Sequence, residues 1–373
     1  MSSIRTPRRW RVTFATTAAV TALTTVLTMA PAHAAVPPDQ SAADWLAGQL
    51  TAGLVHNDQY GFDDVGLTLD VALALDQIGG HDTTLAEIDT AVQPKVAGYT
   101  TGVDWGSDDI YAGATAKAVV FAHAVGADPA SYGGSDLLAQ LRGRVATADP
   151  IRGRLEDGAA TDYANVIGQA YAVRALDPAG GRKARLTLRY LLKQQCAGGY
   201  FRLSFTKAKR AADQTCDGGN PRKVSTPDTD ATALALLALL SVRDPNVRVD
   251  AAVQDAARWL RQTQGRSGGF GGGPSTEKAN TNSTGLAGWA LAEAGSCKRA
   301  AKAAGWVVRF QVGAPEAGTL LATEVGAVAY NRAAWRAGKA DGITVETRDQ
   351  WRRATAQAAP VLGDLPVAAC RAR

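Results

Sequence analysis

The chain has 373 residues, with 40 Lys and Arg against 35 Asp and Glu, 46% hydrophobic and 6% aromatic residues. That balance excludes a disordered or collagen-like polypeptide and permits a sizeable core. The net charge of +5 is concentrated at one end, because Arg5, Arg8, Arg9 and Arg11 all precede the first acid, Asp39. Without them the chain is close to neutral, which removes the electrostatic case for a nucleic acid partner.

Those arginines open a targeting segment. An apolar, Thr-rich run over 12–30 follows, then Ala32-His33-Ala34, the order of a secretory signal peptide with cleavage expected after Ala34. Arg8-Arg9 leaves the twin-arginine route open beside the ordinary one. The expected organisation is a signal peptide at 1–34, a repeat domain at 35–338 and a C-terminal helical tail at 339–373. The chain is expected to be secreted, with no stable membrane insertion after cleavage, since no later segment holds about 18 uninterrupted apolar residues.

Along the remainder a glycine or polar stop recurs after apolar helical runs, at Gly79, Gly126, Asp177, Arg243, Gly295 and Gly338. The unit is long enough for two helices and their connections. In the clearest unit, residues 251–260 alternate apolar and charged positions at helical spacing, a Gly-rich loop follows at 268–274, and 283–294 is almost wholly apolar. The preceding unit repeats the contrast, with an amphipathic 186–193 and an uncharged 231–240. Half-exposed helices alternating with fully buried ones predict two concentric layers. The expected fold is all-α, a closed α/α toroid of about six helical hairpins, because an open solenoid would need polar capping repeats.

Four cysteines, Cys196, Cys216, Cys297 and Cys370, fit an oxidising compartment and allow three pairings. Cys196–Cys216 with Cys297–Cys370 is the preferred set. Zinc is the rival reading, but no Cys-x-x-Cys occurs, so no metal is expected. The acidic loops at Asp63-Asp64 and Asp104 to Asp109 lack the spacing of an EF-hand.

Gln264…Gly269-Phe270, Gln195…Gly199-Tyr200 and, more loosely, Gln49…Gly61-Phe62 resemble the QW-type repeats of the terpenoid cyclase and protein prenyltransferase toroid superfamily. The resemblance covers most of residues 42–338 and implies the same fold. Within it, Pro227-Asp228-Thr229-Asp230-Ala231-Thr232-Ala233 resembles the Asp-x-Asp-Asp-Thr-Ala motif of class II terpene cyclases, with Ala231 in place of the last Asp. That likeness implies Asp230 as the proton donor, assisted by Asp228. The residues alone give another reading: Asp228 as a helix N-cap and Asp230 in a first turn, where the macrodipole favours negative charge. Counting back 15 residues from each stop gives Asp64, Tyr111, Asp162, Asp228, Asn280 and Thr323, so inner-helix caps should ring one mouth of the barrel. Asn282 stands about where prenyltransferases carry a zinc-binding His, and their other metal ligands have no counterpart here. Exported cobalamin carriers share this toroid, but their additional β-domain is not evident in 340–373.

These readings converge on a ligand-binding toroid with no cofactor. It should hold a small apolar or mixed molecule in its central cavity, contacted by Asp64, Asp162, Asn280, Asn282 and Trp289. Trp105, Tyr111, Tyr163 and Tyr171 are further aromatic candidates for the lining. The alternatives are a cyclase-like enzyme using Asp230 as general acid, and a structural or protein-interaction module. Oligomeric state is left open by the sequence.

Overall fold

The computed structural model describes residues 36–218 and 225–371; the expected signal peptide lies outside the described residues. The chain begins with outer helix α1 (Pro38–Ala47), a small antiparallel set of strands β1 (Leu50–Thr51), β2 (Leu54–Asn57) and β3 (Phe62–Asp63), and inner helix α2 (Val65–Ile78). Outer α3 (Asp82–Val92), short α4 (Val96–Thr100), inner α5 (Ala112–Ala124), outer α6 (Leu137–Gly143), inner α7 (Val166–Leu176) and outer α8 (Gly181–Lys193) follow. Then come inner α9 (Thr229–Leu240), outer α10 (Val247–Thr263), inner α11 (Thr281–Glu293) and outer α12 (Cys297–Val307). The last helices are α13 (Arg332–Asp341), α14 (Val345–Leu362) and α15 (Val367–Arg371).

The inner helices pack in the order α2, α5, α7, α9, α11, α14 and back to α2, a closed six-membered ring. Composition explains the layering. In α9 every residue but Asp230 is apolar or Thr, and most are buried, whereas α8 puts Leu186, Tyr190 and Leu191 inward and its five cations outward. The sixth inner helix corrects one expectation. Residues 347–353, read from sequence as part of a tail, belong to α14, so the ring runs to Leu362 instead of ending near Gly338. The first turns of α14 disguise it. Arg348 binds Glu324 at 3.0 Å and Arg352 binds Asp349 at 2.9 Å, so only the half from Ala354 onward looks like a buried helix. Gly338 lies in α13 against the Trp351 ring.

A hydroxyl or amide peg sets the common register. Thr68, Thr232 and Thr284 accept the backbone N–H of Val55, Phe201 and Phe270 at 2.9 Å, and Gln169 and Thr355 accept those of Leu155 and Val328 at 2.8 Å. Each peg fixes the loop entering its inner helix and satisfies a donor that burial would otherwise strand.

The glutamines of the repeats span from their own loop to the next outer helix. Gln195 donates to the carbonyls of Gly199 and Ala252, Gln264 to those of Gly268 and Arg299, and Gln311 to those of Gly326 and Pro38. Gly199, Gly268 and Gly326 have φ of +90°, +107° and +98°, and a Cβ on any of them would overlap a carbonyl of the neighbouring outer helix. Gly326 meets Ser41 of α1, so the last such contact closes the ring on the first helix. This register shifts the repeat by one residue in places. Phe201, aligned with Phe270, fills the wedge, and Tyr200 packs on Trp259. The glycine following Gln49 in this pattern is Gly53, which abuts α3, while Gly61-Phe62 sits on the β2–β3 turn with Phe62 exposed.

Both preferred disulfides are present. Cys196–Cys216 staples the excursion between α8 and α9, and Cys297–Cys370 ties α15 to α12. No helix among the described residues is long and apolar enough to cross a membrane.

Candidate functional site: the mouth of the toroid

The inner-helix N-termini gather at one mouth. Asp64, Asp228 and Asn280 cap α2, α9 and α11, each accepting a backbone N–H at 2.8 Å. The α7 cap is Asn165, not Asp162; it accepts from Ile167 and Gly168. Asp162 instead binds Arg154 at 3.0 Å and Lys209 at 2.8 Å. Burial pushes its pKa up, but hydrogen bonds from Lys209 and from the backbone of Asp157 and Ala164 outweigh that and hold it low. Tyr111 precedes α5 without capping it; Asp157 reaches across from the next loop to accept the Ala112 N–H at 2.8 Å. Thr323 caps nothing, since α14 starts at Val345 with Thr344 before it.

Two residues beyond each cap, α9 and α11 carry Asp230 and Asn282. Asp230 Oδ1 and Asn282 Oδ1 are buried with no hydrogen-bond partner among the described residues. Burial raises the Asp230 pKa to about 6; a hydrogen bond from Ser283 opposes the rise and the nearby Asp228 charge adds to it. The roof over this carboxyl is glycine. A Cβ on Gly272 would collide with Thr276 Oγ1, Asp230 Oδ2 and Ser283 Oγ, and one on Gly273 with Asp228. Tyr330 lies close enough that burial, then the Asp230 charge, raises its pKa.

The open space at this mouth lies elsewhere, by the N-terminal ends of α5 and α7. Tyr99, Tyr111, Lys117, Tyr163, Asn165 and Tyr171 line a cavity of about 330 Å³ between α5 and α7. The Lys117 ammonium binds Asp70 at 2.6 Å and the Gly66 carbonyl at 3.3 Å, leaving one N–H, and it stands 5.9 Å from the Tyr171 ring. Burial would lower the Lys117 pKa, but Asp70, with Tyr99 and Tyr171, more than restores it, so the group stays charged. Burial pushes the Tyr99 pKa up to about 12, against the pull of Lys117, and raises Tyr171 as well. Both phenols are therefore neutral donors. No hydrogen bond among the described residues engages the hydroxyl of Tyr99, Tyr111, Tyr163 or Tyr171. Lys117 and Asp70 were missed in the sequence, although Lys117 is the one Lys or Arg of α5 and Asp70 one of two acids in the largely apolar α2.

Deeper along the axis a space of about 50 Å³ remains, lined by Leu73, Leu234, Leu286, Trp289 and Pro360 together with Asp76 and Arg174. Trp289, expected to contact a ligand, lines this space and donates to Glu293 at 3.2 Å. The structure brings Asp228, Asp230, Asn280 and Asn282 together on one arc of the rim. Asp64 sits on another arc, paired with Arg353 of α14, and Asp162 is tied up in its own ion pairs. The single group of metal-ligand type among the described residues is Cys196, Cys216 and Asp217, whose two sulfurs form a disulfide.

No family model and no curated protein matches this chain. Solved structures do. The type II terpene cyclase MstE from Scytonema, with geranylgeranyl dihydroxybenzoate (substrate), superposes with a TM-score of 0.58 at 14% identity over 90% of this chain and 97% of its own. A protein from Actinoplanes gives 0.56 at 15% identity, covering 88% and 98%. A wild-type glycosidase gives 0.51 at 12% identity, covering 88% and 97%. With the ring closed by α14 and the neighbours spanning nearly all of both chains, the fold is the α/α toroid shared by these terpene cyclase and glycosidase structures.

Proposed function

We propose that this protein is an exported toroid that binds a small molecule of mixed polarity in its mouth rather than in its narrow lumen. The observation that carries this reading is the 330 Å³ cavity, whose tyrosine hydroxyls have no partner among the described residues and whose lining includes the charged Lys117. Tyrosine rings give an apolar body of ligand a surface to stack on. The free phenol and ammonium donors suit an oxygen-rich end. Two disulfides fit the oxidising compartment that an exported chain reaches.

Native mass spectrometry of the chain secreted by its own host, with extraction of whatever is released, tests this. Wild type is expected to carry a non-covalent adduct that Lys117→Met and Tyr171→Ala lose while the helical circular dichroism stays unchanged. An adduct that survives both substitutions would place the ligand elsewhere. A bare wild-type mass, with no uptake of an added prenylated phenol, would remove the binding reading.

A second reading is favoured by one observation, the buried Asp230 oxygen without a partner among the described residues, on a carboxyl whose pKa burial raises to about 6. Such a group stays protonated in mild acid and could deliver its proton to a bound alkene. The absence of a third carboxylate at Ala231 weakens it as an acid for carbon. Incubation with geranylgeranyl dihydroxybenzoate decides. A cyclised isomer formed by wild type and lost in Asp230→Asn supports catalysis, and unchanged substrate with wild type ends that reading.

A further inference from the structure

The outer wall is electrically polarised. Helix α8 carries Arg182, Lys183, Arg185, Arg189 and Lys193 and no acid. Helices α1 and α3 carry Asp39, Asp44, Asp82, Glu87 and Asp89 and no Lys or Arg. Among the described residues, no ion pair involves the α8 cations, Arg248, Asp39, Asp82 or Glu87. Lys183 has its pKa lowered by burial and by Arg182 and Arg144, the mark of cations crowded without a counter-charge.

Members of each set line grooves of similar size, three of the α8 cations in one and Glu87 in the other. Between α8 and α10 a groove of about 730 Å³ has Arg185, Arg189, Lys193 and Arg248 on its walls. Its floor is apolar: Leu188 and Leu192, with Val247 left 81% exposed at the start of α10. Between α1 and α3 a groove of about 670 Å³ is lined by small residues, Ala47, Ala52, Gly53, Thr83 and Ala86, with Glu87 on its wall. The α1/α3 groove lies over α2 and the α8/α10 groove over the α7–α9 side. In the six-membered inner ring, α2 and α9 are three places apart, so the two grooves face opposite directions.

We propose that these grooves are the two halves of one self-association surface, the cationic α8/α10 groove of one copy receiving the acidic α3 of a second copy. A helix whose outer face is Thr, Ala and Glu can approach closely, ridge into groove, and its acids then meet arginines that have no ion-pair partner among the described residues. The segments outside the described residues contain Arg and Lys and no Asp or Glu, so they hold no counter-charge for the basic groove. The two patches differ and point apart, which makes the contact head-to-tail and the product an open string rather than a closed dimer.

Sedimentation velocity of the folded chain tests the proposal at about 0.01 M and about 1 M salt, where screening falls from roughly 30 Å to roughly 3 Å. At low salt and about 0.5 mM chain, the range that reports a weak contact, the weight-average mass is expected to exceed the monomer at least about 1.5-fold. High salt should return it to monomer. Two exposed double charge reversals separate this contact from any other. Arg185→Glu with Arg189→Glu, and Asp82→Lys with Glu87→Lys, should each be monomeric alone and should associate when mixed, since the reversed groove of one then matches the reversed helix of the other. A wild type monomeric throughout, a reversal that still self-associates, or a mixture that stays monomeric would overturn the proposal.

Discussion

Asp230 shows how much a single carboxyl can be altered by its roof and neighbours. Its folded pKa, about 6, lies above the ordinary 3.8. Between those values the native state holds more protons than the unfolded chain, so stability falls as pH rises through that window. Asp230→Asn removes the ionisation. Its melting temperature should match wild type near about pH 4 and exceed it near about pH 7.5. The gain is bounded by about 3 kcal/mol, the full worth of a shift of roughly two units. A difference that is the same at both pH values would show that the carboxyl is solvated. The rim was legible in part. Fixed counting from the repeat stops finds Asp64, Asp228 and Asn280 because their helices have 12 to 14 residues, but misses Asn165 because α7 has 11. The Asp157 contact that serves α5 comes from another loop, 45 positions away, and no local pattern reports it.

The wedge between neighbouring hairpins rests on a glutamine and a glycine four or more residues later, and the two do different jobs. The glutamine closes hydrogen bonds, while the glycine lets two backbones touch. Gly326→Ala should therefore cost at least about 2 kcal/mol, from a strained φ and a collision with the Ser41 carbonyl. Gly295→Ala is the control, with φ of +70° and nothing near its Cβ, and should cost only about 1 kcal/mol. Equal losses by chemical denaturation would mean that the wedge contact contributes nothing beyond the backbone conformation. Alternation of apolar and amphipathic helices made the two layers readable, since each helix reports its own burial. Helix α14 escaped because half of it rises past the rim, where its surroundings are ionic and its sequence is that of a surface helix.

For the molecule as a whole, α14 makes the ring a ring. Removing residues 343–373 would strip α2 and α11 of a flank each and leave Thr355 absent from its peg on Val328. Such a truncation is expected to lose the cooperative melting transition altogether. If residues 339–373 were an accessory tail, it would retain the transition with a small shift, as differential scanning calorimetry would show. The seam that α14 closes joins partners as far apart as Gln49 and Arg352, 303 positions from each other. Each hairpin can form from local sequence soon after it is made, but the seam cannot, because its two sides are the first and last helices of the inner ring with the outer α1 beside them. High contact order of this kind slows folding. Until Leu362 has emerged, five-sixths of a barrel presents two apolar edges to solvent, each shaped to accept the same missing helix from any chain nearby.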